Sequence, residues 1–297
     1  MNTRDLDGYR VVAVHAHPDD ESITTGGILA DLSVRGADVT VVTCTLGEEG
    51  EVIGEPYADL AGTDLLGGFR VHELNLALIR LGVRGVHLGG VGRHRDSGMA
   101  GSPAHAHPAA FVNSGAGAVD QLTALFAQLR PHLVITYDPA GGYGHPDHIR
   151  AHEITHVAAE RVGVPRVLWT VTLRSELEAG LAAIGRIPAQ WRRADAGELA
   201  AVDSCDLAVH LSDRAYAAKR EAMRAHATQL WFADGSVSAT NPRAARASVD
   251  DPDLVPDVWA LSNLIAQPLL RREHFRLGAG VALPADATGV LDGIRRG

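Results

Sequence analysis

Short apolar runs recur along the first part of this chain, and the stretches between them space their apolar residues as helices do. Residues 9–14, 39–44, 86–88, 132–136 and 167–173 read as strands. Residues 22–34 place Ile23, Ile28, Leu29 and Leu32 on one helical face, and residues 68–81 do the same with Val71, Leu74, Leu78 and Leu81. Residues 118–129 and 147–161 read as two further helices. Gly36 and Gly82 follow the first two helices, as C-terminal caps do. Parallel strands need crossovers, so this alternation admits few architectures. The expected fold is α/β: a Rossmann-like, mostly parallel sheet with helices on both faces.

After residue 173 the alternation weakens. Residues 215–230 read as a helix and residues 258–265 fit a strand or a helix. Residues 192–201 and 236–256 are polar and loop-like, and the chain from Leu283 onward reads as a tail. The expected division is a catalytic α/β core over residues 1–173. Residues 174–297 then form a smaller C-terminal region that packs on the core and completes its pocket.

Composition narrows the function. Of 297 residues, 46% are hydrophobic and 21% charged, which is ordinary for a globular protein. The net charge is −9 and no basic block offsets it, which argues against nucleic acid or an anionic membrane as partner. The N-terminus is polar, with no apolar signal region, and no stretch approaches the ~20 apolar residues of a membrane span. Two cysteines, Cys44 and Cys205, cannot build a disulfide framework. A cytoplasmic protein acting on a small molecule is the expectation.

Two segments carry chemistry. His15-Ala16-His17-Pro18-Asp19-Asp20-Glu21 follows the first strand, and Gly141-Gly142-Tyr143-Gly144-His145-Pro146-Asp147-His148 follows the fourth. Each sets His-Pro-Asp where a strand gives way to a helix, with proline in the first turn. Long Gly-rich loops over residues 47–67 and 89–115 leave the same carboxyl edge, where open α/β sheets bind ligands. His17 and Asp20 are three residues apart and face one side. With His148 they make two imidazoles and a carboxylate, the donor set of an open site for one Zn²⁺ per subunit, or Fe²⁺.

The neighbouring residues suit hydrolysis. Asp19 is a second carboxylate, free to take a proton from water and return it to a leaving amine. Tyr143 sits in a glycine-rich loop that can bring its phenol to a developing oxyanion. His145 is suited to the leaving group or the same charge, with Asp147 to orient it. Arg70, read at a helix start, faces either ligand hydroxyls or solvent. Asp96 suits a sugar hydroxyl or the flanking Arg93 and Arg95, and Glu49 in the loop 48–51 is a further hydroxyl acceptor. A competing motif, His152-Glu153-Ile154-Thr155-His156, matches the helical zinc site of metalloproteases. A non-catalytic sugar-binding protein would have no need of Asp19.

The segments Ala16-His17-Pro18-Asp19-Asp20-Glu21 and His145-Pro146-Asp147-His148, with residues 43–54, 95–99 and 137–148, resemble the N-acetylglucosaminyl-phosphatidylinositol de-N-acetylase (LmbE-like) family. The resemblance covers residues 9–175. It implies a Rossmann-like sheet with Zn²⁺ or Fe²⁺ on His17, Asp20 and His148, and Asp19 as general base. It further implies that Tyr143 and His145 assist the tetrahedral intermediate, and that Arg70 and Asp96 meet a sugar–inositol substrate. Residues 46–54 favour the branch that deacetylates N-acetylglucosaminyl-inositol in mycothiol biosynthesis over its sister, an amidase of mycothiol S-conjugates.

Overall fold

The computed structural model describes residues 4–296. Five strands open the chain: β1 (Arg10–His15), β2 (Asp38–Thr43), β3 (Arg84–His87), β4 (Leu133–Tyr137) and β5 (Arg166–Val171). They alternate with α1 (Asp20–Val34), α2 (Asp64–Leu81), α3 (Gly115–Leu129), the single turn α4 (Gly141–Gly144) and α5 (Pro146–Val162). The chain continues through α6 (Arg174–Ala183), β6 (Leu207–His210), α7 (Asp213–Ala225), β7 (Trp231–Phe232), β8 (Asp257–Ala260), β9 (Gln267–Leu269) and β10 (Arg272–Gly280). The main sheet runs β3-β2-β1-β4-β5-β10-β6. Its first five strands are parallel, and β10 and β6 join antiparallel. Strands β7, β8 and β9 form a small antiparallel sheet.

Strand periodicity explains the layering. Val11, Ala13, Val39, Val41, Leu133 and Ile135 point to one face and pack with Ile28, Leu29, Leu32, Leu74 and Leu78 of α1 and α2. Val12, Val14, Val42 and Val134 point to the other and pack with Leu122 and Phe126 of α3 and Ala151 and Ile154 of α5. Both faces are covered, so the strands read as continuous apolar runs rather than alternating ones. Helix α7 lies against both α1 and α2.

Three expectations change, and the open reading of residues 258–265 resolves. Helix α2 begins at Asp64, not residue 68, and runs through Gly67, where a Cβ would lie 2.8 Å from Glu48 Cγ. Helix α7 stops at Ala225 rather than continuing to residue 230, because the following turn is held inside by polar contacts. Residues 257–260 are strand β8. The segment after Leu283 is not a tail: Val290, Leu291 and Ile294 are buried in the first core. Arg166, fully buried, fastens that segment by donating to the carbonyls of Val281, Val290, Ala282 and Asp292 at 2.8–2.9 Å.

Strand β10 also reaches across to α1. Glu273 accepts from the N–H groups of Gly27 and Ile28 at 2.9 and 2.8 Å and from Lys219 Nζ of α7 at 2.7 Å. Gly27 has no side chain because Leu211 packs against it; a Cβ there would lie 2.4 Å from Leu211 Cδ1.

Candidate active site

Strand β1 ends at His15, and the chain turns through His17-Pro18-Asp19 into α1. Strand β4 ends at Tyr137, and α4 and His145 carry the chain into α5. The two strands are adjacent and parallel, so both turns leave the same edge. His17 Nδ1 lies 3.3 Å from Asp20 Oδ2 and 3.2 Å from His148 Nε2, which is 3.4 Å from the same carboxylate oxygen. Three donors held at 2.0–2.1 Å around a tetrahedral ion are separated by about 3.3–3.4 Å. The triangle therefore fits a divalent cation.

The surroundings fit one as well. His17 Nε2 is backed by Asp147 Oδ2 and Asp96 Oδ1, both at 3.4 Å, the arrangement that orients a ligand imidazole. Burial works against charge on His17, yet Asp96, Asp147 and Asp20 hold its pKa well above the usual range. Such an excess of negative charge is what a cation neutralises. His148 Nδ1 faces the Gly141 carbonyl at 3.2 Å, which leaves Nε2 for the site. The Tyr137 ring stacks on His148 at 4.1 Å, and its hydroxyl donates to Asp20 Oδ2 at 2.7 Å.

Asp19 is buried next to the triangle and takes an unusual backbone conformation, φ 111° and ψ −34°. Its Oδ2 accepts from Arg70 Nη2 at 3.0 Å. Burial pushes its carboxyl up to about 6, against the pull of the Arg70 guanidinium. Arg70 differs from expectation. It lies in the second turn of α2, is 2% exposed, and donates to the carbonyls of Gly47 and Pro18 as well as to Asp19. The helix start, read near Arg70 and taken to turn it toward ligand hydroxyls or solvent, lies at Asp64 instead.

His145 caps α5, its Nδ1 accepting from the Asp147 N–H at 3.2 Å. Its ring centroid lies 4.6 Å from that of His17. Burial first, then His17 and His148, lower its pKa to about 4. A neutral ring that accepts on Nδ1 carries its proton on Nε2. Asp147 meets His145 through its backbone only; its carboxylate faces His17 and accepts from the Ser97 N–H at 2.9 Å. Tyr143 is 58% exposed, its ring edge-on to His148 at 5.1 Å. Asp96 is buried against His17 and accepts from Gly98 N at 2.8 Å, so neither Arg93 nor Arg95 is its partner; Arg95 pairs with Asp64. Glu48 is buried and accepts from Asp96 N at 3.0 Å, whereas Glu49 is exposed.

The two histidines of the His152-Glu153-Ile154-Thr155-His156 motif are tied to the fold. His152 Nδ1 donates to the Tyr137 carbonyl at 2.9 Å, and His156 Nε2 accepts from Trp169 Nε1 at 2.8 Å. Glu153 faces outward to Arg150. Each histidine thus spends one ring nitrogen on the fold. Two residues beside the site, Glu21 and His226, drew no functional reading from sequence. Glu21 passed as part of the first motif, and His226 lies in a segment read as plain helix.

Comparison with known proteins adds to this. A family model described as PIG-L: GlcNAc-PI de-N-acetylase matches residues 12–159. The chain is 65% identical, over 99% of each sequence, to the 1D-myo-inositol 2-acetamido-2-deoxy-alpha-D-glucopyranoside deacetylase of Corynebacterium glutamicum strain R. It is 47% identical to that of Rhodococcus erythropolis strain PR4, over 94% of each. Among solved structures, the A40926 pseudoaglycone deacetylase Dbv21 shares its fold, with a TM-score of 0.51 at 24% identity over 75% of this chain and 83% of that one.

Proposed function

Because the chain belongs to the GlcNAc-PI de-N-acetylase family, we propose that it hydrolyses the acetamide of N-acetylglucosaminyl-inositol to glucosaminyl-inositol and acetate, a step of mycothiol biosynthesis. The observation that carries this reading is the donor triangle of His17, Asp20 and His148 with a separate buried carboxylate, Asp19, beside it. Those three residues would hold the ion, Zn²⁺ in our reading, with Fe²⁺ compatible with the same donors. When bound, the ion supplies a Lewis acid for the acetamide carbonyl and makes a nearby water more acidic.

This chain's own residues do the rest. Asp19 takes the proton of the attacking water and returns it to the leaving amine; a carboxyl lifted to about 6 serves both directions near neutral pH. His145, neutral and protonated on Nε2, and Tyr143 donate hydrogen bonds to the developing oxyanion. Asp147 and Asp96 orient His17, and Glu49 at the exposed rim accepts from substrate hydroxyls. The cytoplasm suits a chain whose two cysteines, Cys44 and Cys205, are both unpaired.

The test is kcat/KM for N-acetylglucosaminyl-inositol against a mycothiol S-conjugate, with one enzyme preparation. The acetyl substrate should win clearly. A preference for the conjugate makes the chain an amidase instead.

A further inference from the structure

Asp19 stands in a region of backbone space that side-chain-bearing residues rarely enter, at φ 111°. Such strain persists only where the surroundings impose it. One source of that imposition is Glu21. Its Oε2 accepts from the Asp19 N–H at 2.9 Å. Glu21 is itself fully buried, so its carboxylate steers Asp19 only if something steers it in turn. Its Oε1 receives Ser22 Oγ at 2.5 Å and His226 Nε2 at 2.8 Å.

His226 is also fully buried. Among the described residues its Nδ1 has no hydrogen-bond partner, so Glu21 is the ring's polar tie. The turn that carries it is anchored independently. Its carbonyl accepts from the N–H groups of Gln229 and Leu230, both at 2.9 Å. Two residues on, Thr228 donates through N and Oγ1 to Glu73 of α2 at 2.8 and 2.6 Å. A chain of contacts therefore runs from α2, through residues 226–228, to the backbone of Asp19.

We propose that Glu21 and His226 are positioning residues for Asp19, holding its backbone in the left-handed region so that its carboxylate stays beside Arg70 and outside the donor triangle. The proposal rests on Asp19 being the proton acceptor. Neither residue touches substrate. Without their hold Asp19 relaxes to negative φ, and its carboxylate leaves the place where the water is attacked.

The test uses the full chain loaded with Zn²⁺, with metal content measured alongside kinetics. His226→Leu should lose about 10²-fold in kcat, the scale set by a misplacement of roughly 1 Å, with KM and Zn²⁺ content near those of the parent. His226→Gln keeps an N–H donor toward Glu21 and should recover most of the rate. In an Asp19→Asn background, His226→Leu should change the residual rate little, because no base remains to misplace. Glu21→Asp, one methylene shorter, is the second variant should His226→Leu fail to fold, and is read in the same two backgrounds. If either variant lowers the residual rate of Asp19→Asn by the factor it shows in the parent, or strips the metal, the pair does not act through Asp19 and the proposal fails. If Asp19→Asn alone keeps the parent rate, the assignment of Asp19 fails first, and the proposal with it.

Discussion

Arg70 and Asp19 form a buried ion pair, 3.0 Å apart, and the same guanidinium nitrogen also meets the carbonyl of Pro18. Both Nη groups of the arginine are thus tied to the loops that carry Gly47, Pro18 and Asp19. Removing one partner of such a pair leaves the other charge buried without compensation. Arg70→Met should lower kcat by about 10²-fold and change KM far less, because a displaced base costs rate rather than ground-state binding. A change confined to KM in steady-state kinetics would return Arg70 to the substrate hydroxyls.

The donor triangle predicts a sharp division among histidines. His17→Ala, Asp20→Ala and His148→Ala should each strip the metal and abolish turnover. His152→Ala and His156→Ala should keep both, since their hydrogen bonds to Tyr137 and Trp169 serve the fold. Elemental analysis of the purified variants decides. Metal lost from the second pair and kept by His148→Ala sinks the assignment.

Asp19 and Tyr143 differ in what they leave behind. Asp19→Asn should keep normal metal content and lose roughly 10²–10⁴ in kcat. Tyr143→Phe should lose roughly 10²–10³ in kcat with metal and KM little changed. Parallel loss of metal and activity in Asp19→Asn would make Asp19 a ligand.

Arg166 offers a test of the fold. Its guanidinium donates to four backbone carbonyls within residues 281–292. Arg166→Met should destabilise the protein by roughly 3 kcal/mol, the sum of several modest net hydrogen bonds. Urea unfolding measures the loss, and limited proteolysis should find new cleavage within residues 281–292. An unchanged urea midpoint would show that the apolar contacts of Val290, Leu291 and Ile294 suffice.

The acid side of the stability curve should carry a histidine signature. Burial first, then His152, lowers the pKa of His156 from 6.5 to about 4. Between those values the unfolded chain binds more protons than the folded one. The contribution of His156 is therefore fully present above pH 6.5 and is lost as pH falls toward 4. His15, also held down to about 4 by burial, adds to the same slope. His156→Gln keeps an acceptor for Trp169 without titrating, so its urea midpoint should fall less between pH 7 and 5. Identical slopes in the two proteins would exclude His156 as a contributor.

The five parallel strands are legible because their signals are local, and so are the two short motifs that carry His17, Asp20 and His148. Buried runs such as residues 11–14 and 133–136 are continuous, and His17 and Asp20 lie within one turn. What escaped was set by distant partners. Strand β10 was missed because Glu273, turned inward to Lys219, and the arginines 272 and 276 interrupt its apolar pattern. The inward turn of Arg70 goes with a start of α2 at Asp64, which sets the arginine in the second turn, and with partners at Gly47, Pro18 and Asp19. His226 reads as one more residue of a helix, and only its contact with Glu21, 205 positions away, gives it a place.

Glu273 gives the molecule a schedule. The proposed metal ligands are synthesised within the first half of the chain, yet the carboxylate that grips the middle of α1 belongs to one of the last strands to leave the ribosome. His226, which faces Glu21 in the first turn of the same helix, also arrives late. A nascent chain halted after β5 therefore carries His17, Asp20 and His148 but none of these later supports. The site is written early and finished last.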